Sequence, residues 1–394
     1  MARASSRGRG RTLDPADLDP APRANPHLAG QAAAEGEVLR AWTGGRMSHA
    51  WLISGPRGIG KATLAFRMAR FVLADGGGAG QGGDGPGLFG DATPAPTSLT
   101  MAPDHPVFHR VQAASHADLR VIQRAPVDET EAAAALGAGR EPRRRGEIGV
   151  DSVRGLGAFL SLTPAEGGWR VVVIDAADEM NRNAANAVLK VLEEPPRRAI
   201  LLLVAHNPAR LPSTIASRCR RLTLRPLAPD VMTDLLMHYR PDLDESARAT
   251  LVRLAGGSIG RALGLARQGG LDLHGELLAV LGQAPHMDVA RCHALGDAVA
   301  RDDAAWQLLR DLLPGWLAGL ARFGATGQGA ADGETAAEDR ALMTRLCRAA
   351  PLDRWVAVWE KTVHLLGRTE AVNLDRKQAV LAVLLLIERA AARA

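Results

Sequence analysis

One stretch limits the fold of this chain more than any other. Ala50-Trp51-Leu52-Ile53 is an unbroken apolar run that closes into Ser54-Gly55-Pro56-Arg57-Gly58-Ile59-Gly60-Lys61-Ala62-Thr63. Leu64, Phe66, Met68, Ala69, Phe71 and Val72 then continue as an apolar helix. A short run of this kind reads as a buried strand, and strand, glycine loop and helix in succession are the setting of a phosphate-binding P-loop, G-x-x-x-x-G-K-[ST]. Gly55, Gly60 and Lys61 fit the pattern, and Gly58 loosens the loop between them. Backbone N–H groups of such a loop converge at a helix N-terminus, where partial positive charge favours phosphate. The next position, whose hydroxyl holds Mg²⁺, is Ala62. Thr63 stands one residue further on, about 100° round the helix.

A second strand repeats the theme. Trp169-Arg170-Val171-Val172-Val173-Ile174-Asp175 is a β-branched run ending in an acid, the form of a Walker B strand whose Asp reaches the metal shell. A hydrolytic site adds an acidic residue directly after it to polarise water; here Ala176 follows, and Asp178 is the next acid. Asn183–Glu194 reads as a helix stopped by Pro195-Pro196. Ala199–Ala205 is a third buried strand, and Asn207 at its tip suits either a γ-phosphate contact or a strand-end cap. The helices expected around these strands are Leu28–Thr43 and Ile148–Leu162, with Leu119–Ile122 and Leu222–Leu224 as further strands.

The formal net charge of +5 is compatible with acidic partners and does not specify one. Arg far outnumbers Lys, and one of the few lysines, Lys61, falls where phosphate needs a flexible point charge. Cys219, Cys292 and Cys347 are too far apart for a disulfide framework or a zinc set. No apolar run reaches the roughly 18 residues that would cross a bilayer, and the basic Met1–Arg11 stretch precedes no apolar segment, so a cytoplasmic protein without membrane contact is expected. Residues 1–26 have a disordered composition. Their arginines read as a solubilising tail ahead of a nucleic-acid arm. Residues 74–103 read as a flexible insertion, and 131–147, with Arg143-Arg144-Arg145, as a solvated linker.

These phrases together resemble a known family. His49-Ala50-Trp51-Leu52 before the loop, Asn186-Ala187-Val188-Leu189-Lys190 with Leu192-Glu193-Glu194-Pro195-Pro196, and Ser217-Arg218-Cys219 look like the bacterial sliding-clamp loaders, a branch of the AAA+ ATPases. The resemblance is close over about residues 27–267. It implies an α/β P-loop AAA+ core at 27–226, a small helical lid at 227–270 and an all-α collar that joins subunits at 271–394. Two subunit types share the phrases: motor subunits (gamma/tau) with intact nucleotide motifs, and a subunit with a degenerate site that keeps Ser-Arg-Cys. Without the hydroxyl at Ala62 or the acid at Ala176, this chain resembles the second. The family then implies that Arg218 acts in trans as an arginine finger, stabilising charge on the γ-phosphoryl of a neighbouring motor subunit. Gly55, Gly58, Gly60, Lys61, Thr63, Asp175, Asn207 and the lid's Arg261 would form a degenerate nucleotide site, with ATP bound weakly or not at all. Many members carry a four-cysteine zinc module between P-loop and Walker B strand; residues 62–170 contain no cysteine, so no such zinc is expected. The implied partners are gamma/tau and delta subunits, with the clamp and primer-template DNA reached through the complex, a DNA-directed DNA polymerase assembly. Two other readings are a motor subunit that hydrolyses ATP itself and a free-standing nucleic-acid-binding protein.

Overall fold

The computed structural model describes residues 21–75, 95–137, 142–166, 168–326 and 337–392. The chain divides into two compact units, Met1–Leu227 and Ala228–Ala394. In order, the first contains α1 (Ala32–Thr43), β1 (Ala50–Ser54), α2 (Lys61–Asp75), α3 (Pro106–Gln112), β2 (Leu119–Ile122), α4 (Glu129–Gly137), α5 (Val150–Val153), α6 (Leu156–Ser161), β3 (Arg170–Asp175), α7 (Arg182–Glu193), β4 (Ala199–Ala205), α8 (Ser213–Ala216) and β5 (Arg220–Thr223).

The strands form one sheet in the order β2-β3-β4-β1-β5, and every neighbouring pair is parallel. A parallel sheet is covered on both faces, so its strands are apolar on both sides. Alternation splits the Walker B strand between two cores: Val171 and Val173 pack with α1, α2 and α3, while Val172 and Ile174 pack with α5 to α8. In the register, Ser54 lies opposite Ala205 and Asp175 opposite Val204. The carboxyl ends of β1, β4 and β3 therefore stand side by side, where open α/β sheets bind ligands.

Four sequence expectations need correction. Residues 21–26 do not continue the tail. Two buried arginines of α2 hold them: Arg67 donates to the carbonyl of Pro26, and Arg70 to those of Arg23 and Asn25, each at 3.0 Å. Residues 1–20 of the tail lie outside the described residues, as do 76–94 of the insertion. Its other end is packed, with Leu99 buried and Arg67 donating to the Thr100 hydroxyl. The 131–147 linker contains most of α4, because its alanine run favours helix and the Asp128 carboxylate caps the Glu131 N–H at 2.8 Å. Further on, Arg144 pairs antiparallel with Pro126, while 138–141 lie outside the described residues. Finally, the helix expected over Ile148–Leu162 breaks into α5 and α6 at Gly155, whose φ of +77° is left-handed.

The second unit is helical among its described residues: α9 (Pro229–Tyr239), α10 (Glu245–Ala255), α11 (Ile259–Arg267), α12 (Gly270–Leu281), α13 (Val289–Arg301), α14 (Asp303–Thr326), α15 (Ala337–Ala349), α16 (Leu352–Ala371) and α17 (Arg376–Ala392). Trp306 of α14 and Trp355 of α16 are fully buried, and each indole N–H is satisfied, by the Glu370 carboxylate at 2.7 Å and the Leu346 carbonyl at 3.1 Å. Asp339 of α15 is buried against Arg253 of α10, which pins α15 to the unit.

Candidate nucleotide-binding site

The loop after β1 needs its glycines. Gly55 has φ +144°, and a Cβ there would sit 2.6 Å from the Leu224 carbonyl oxygen; Gly60 has φ +97°, and its Cβ would meet Leu28 at 2.8 Å. Gly58, at φ +74°, is also left-handed. Gln31, at the N-cap of α1, donates to the carbonyls of Ile59 and Arg225, so α1 and the segment beyond β5 brace the loop.

Lys61 opens α2 and is buried, its ammonium donating to the Pro56 carbonyl of its own loop. Burial pushes its pKa down to about 8, against the pull of Asp175 and Asp178. At the end of β3, Asp175 is shifted the other way: burial raises its pKa, and Lys61 partly offsets that. Ala62 presents only a methyl group. Thr63 is buried within α2.

Beyond β3 the chain turns through Ala177–Glu179, a 3₁₀ turn. Asp178 is buried there, and its two carboxylate oxygens accept the backbone N–H groups of His206 at 3.0 Å and Asn207 at 2.8 Å. It clips the end of β3 to the end of β4. Asn207 is used as a cap: its Oδ1 accepts the Ala209 N–H at 3.1 Å. Two residues of this region escaped the sequence reading. Glu179 pairs with Arg57 of the loop at 2.7 Å and with Arg124, just past β2, at 2.8 Å. His206 is held neutral, its pKa lowered to about 4 by burial first and by the charges of Lys61 and Arg57 next. The signal for Glu179 was faint: an acid three residues past the catalytic-type position Ala176, with its partner 122 residues away.

Arg218 lies elsewhere on the first unit, between α8 and β5. It is partly exposed, with Nη1 donating to the Thr214 carbonyl at 3.0 Å and Nη2 3.0 Å from the Glu193 carboxylate at the end of α7. Its neighbour Cys219 is turned into the core, where burial pushes the thiol up to about 11. The Ser-Arg-Cys phrase thus works as an anchor and a presented guanidinium: the cysteine fixes the turn that leaves Arg218 outside. Arg261 belongs to α11 of the second unit, where Ser258 caps its N–H at 3.2 Å and its guanidinium reaches the Asp311 carbonyl at 3.5 Å. Among the described residues, no group of three or more His, Cys, Asp or Glu side chains is arranged to hold a metal ion.

A parallel five-stranded sheet with a glycine loop after β1, an acid closing β3 and a separate helical unit defines a P-loop protein with an AAA+ core. Comparisons with known proteins agree. A family model described as DNA polymerase III, delta subunit, matches residues 102–228. The DNA polymerase III subunit delta' of Pseudomonas aeruginosa is 30% identical over 289 residues, 73% of this chain and 76% of that one. The delta' of Bacillus subtilis is 28% identical over 49% of this chain and 46% of its own. The gamma/tau subunit of Mycobacterium tuberculosis is 28% identical over 71% of this chain and 43% of its own. The chain belongs to the DNA polymerase III delta' family, among the clamp-loader subunits.

Proposed function

We propose that this chain is the non-hydrolysing delta' subunit of a DNA polymerase III clamp loader, and that its chemistry is done by Arg218 in a neighbour's ATP site. The observation that carries the reading is the state of the acids. Ala62 and Ala176 stand where a metal ligand and a water-polarising acid are needed, and the two acids on β3's exit are both engaged, Asp178 by two backbone N–H groups and Glu179 by Arg57 and Arg124. Arg218 meanwhile lies partly open to solvent. A guanidinium brought to a γ-phosphoryl stabilises the charge that builds on its oxygens during transfer, and a finger of this kind can contribute three or more orders of magnitude in rate.

In this reading the glycine loop and Lys61 are retained for phosphate without a complete metal site, so ATP binds weakly or not at all. Motor gamma/tau and delta subunits are the partners, with the clamp and primed DNA met through the complex in the cytoplasm. The test has two arms. The purified chain should show no Mg²⁺-dependent ATP turnover, and the reconstituted loader should lose turnover with Arg218→Ala. Turnover by the isolated chain that disappears with Lys61→Ala would establish the motor reading instead.

A further inference from the structure

We propose that Glu193 is the resting partner of Arg218: it holds the guanidinium on this subunit until the γ-phosphate of a neighbour displaces it. The inference rests on the finger reading above and adds a residue to it.

Three observations carry it. The Glu193 carboxylate lies 3.0 Å from Nη2 while the Thr214 carbonyl takes Nη1, so both terminal nitrogens are engaged within the subunit. Glu193 is the last residue of α7, followed by the C-cap Glu194 and then Pro195-Pro196. A helix C-terminus carries partial negative charge, so a carboxylate there is poorly placed unless a cation is beside it. Arg218 supplies that cation, which gives the pair a mutual hold in the absence of any neighbour. Lastly, both side chains are partly exposed, 38% for Arg218 and 46% for Glu193. An ion pair in such a setting is weak and easily exchanged. A phosphate offers more charge and more acceptor oxygens than one carboxylate, and a carboxylate left beside a bound γ-phosphate would repel it. Glu193 must therefore let go when Arg218 engages, and the pair is soft enough to do so. Glu193 does not touch the reacting atoms in this scheme; it is a positioning residue that acts through Arg218.

The test uses the complete loader assembled from the same organism's subunits, with clamp and primed DNA, and reads steady-state ATP hydrolysis at low and at physiological salt. Glu193→Gln removes the charge and keeps a hydrogen-bond acceptor; Glu193→Ala removes both. Each should raise kcat/KM about two- to five-fold at low salt, the range that separates a weak exposed pair from none. The gain should shrink as salt rises, because the wild-type pair is itself screened. In an Arg218→Ala background, Glu193→Gln should change nothing. Lower turnover with both variants would mean that the carboxylate orients the finger for attack, lower turnover with Glu193→Ala alone that the side chain's hydrogen-bond acceptor does, and either result would overturn the proposal. So would no change with either variant, or an equal gain in the Arg218→Ala background. If Arg218→Ala itself leaves turnover intact, the finger reading fails, and this proposal with it.

Discussion

Asp178→Ala separates a structural carboxylate from a catalytic one. The side chain accepts two backbone N–H groups across the ends of β3 and β4, at 3.0 and 2.8 Å. A hydrogen bond to a charged group contributes about 1.5–3 kcal/mol, and its loss leaves the donor to find water. Both donors sit at the strand tip, where water recovers part of the interaction, so the pair together should be worth about 2–4 kcal/mol. Asp178→Asn should lose at least half of that, since its amide turns a donor toward one of two N–H groups. For a unit of this length each kcal/mol moves Tm by roughly 2–4 °C, which puts the expected fall for Asp178→Ala at roughly 4–16 °C. Calorimetry of the full chain measures it, with urea unfolding followed by tryptophan fluorescence as the second probe. A change below about 0.5 kcal/mol, the ordinary range for an uninvolved surface residue, would refute the clip. Asp178 would then be free to serve water activation, and the case against hydrolysis by this chain would weaken with it.

Three further perturbations follow from the same geometry. His206 has a folded pKa near 4, below its ordinary 6.5, so the unfolded chain binds the extra proton first and stability is lost as pH falls from about 6.5 to 4; with its partial exposure the loss should be about 1–3 kcal/mol, and His206→Gln should flatten the stability profile across that window. For Lys61, whose folded pKa is lowered to about 8, the buried charge opposes folding below pH 8 and ceases to do so by about pH 10.5, so Lys61→Met should be more stable than the wild type at pH 7 and lose that advantage as pH rises through this interval in urea titrations. Arg70→Met removes two hydrogen bonds to the 23–25 carbonyls and a guanidinium stacked 4.5 Å over the Phe108 ring; a stability loss of about 2–4 kcal/mol is expected, with proteolysis between residues 21 and 31 increased at least tenfold.

The sheet was largely legible in the sequence, and the reason is burial. β1, β3 and β4 are covered on both faces, so they read as continuous apolar runs, and Ala199–Ala205 is found at the bounds expected for it. The glycine loop was legible because the φ angles at Gly55, Gly58 and Gly60 restrict those positions to glycine. What stayed hidden was decided by contacts between distant residues. Arg67 and Arg70 look like the solvated face of α2, yet they are buried because carbonyls 41 to 47 residues earlier meet them. Asp178 reads as a displaced catalytic acid until its two N–H donors, 28 and 29 residues on, are seen. The pairing of Arg144 with Pro126 brackets α4 with no periodicity to announce it, because the intervening alanines and glycines carry little pattern.

Edge strand β5 has one further consequence. Among the described residues it pairs with β1 alone, so its other side has no strand partner there. Arg220 and Arg221 stand exposed along that rim, with Arg218 just before it. Charged side chains on an edge discourage a further strand; here Arg220 is paired with Glu37 and stacked over Trp51, and Arg218 is paired with Glu193. The sheet therefore ends in a charged border that is poorly suited to backbone pairing with a second strand.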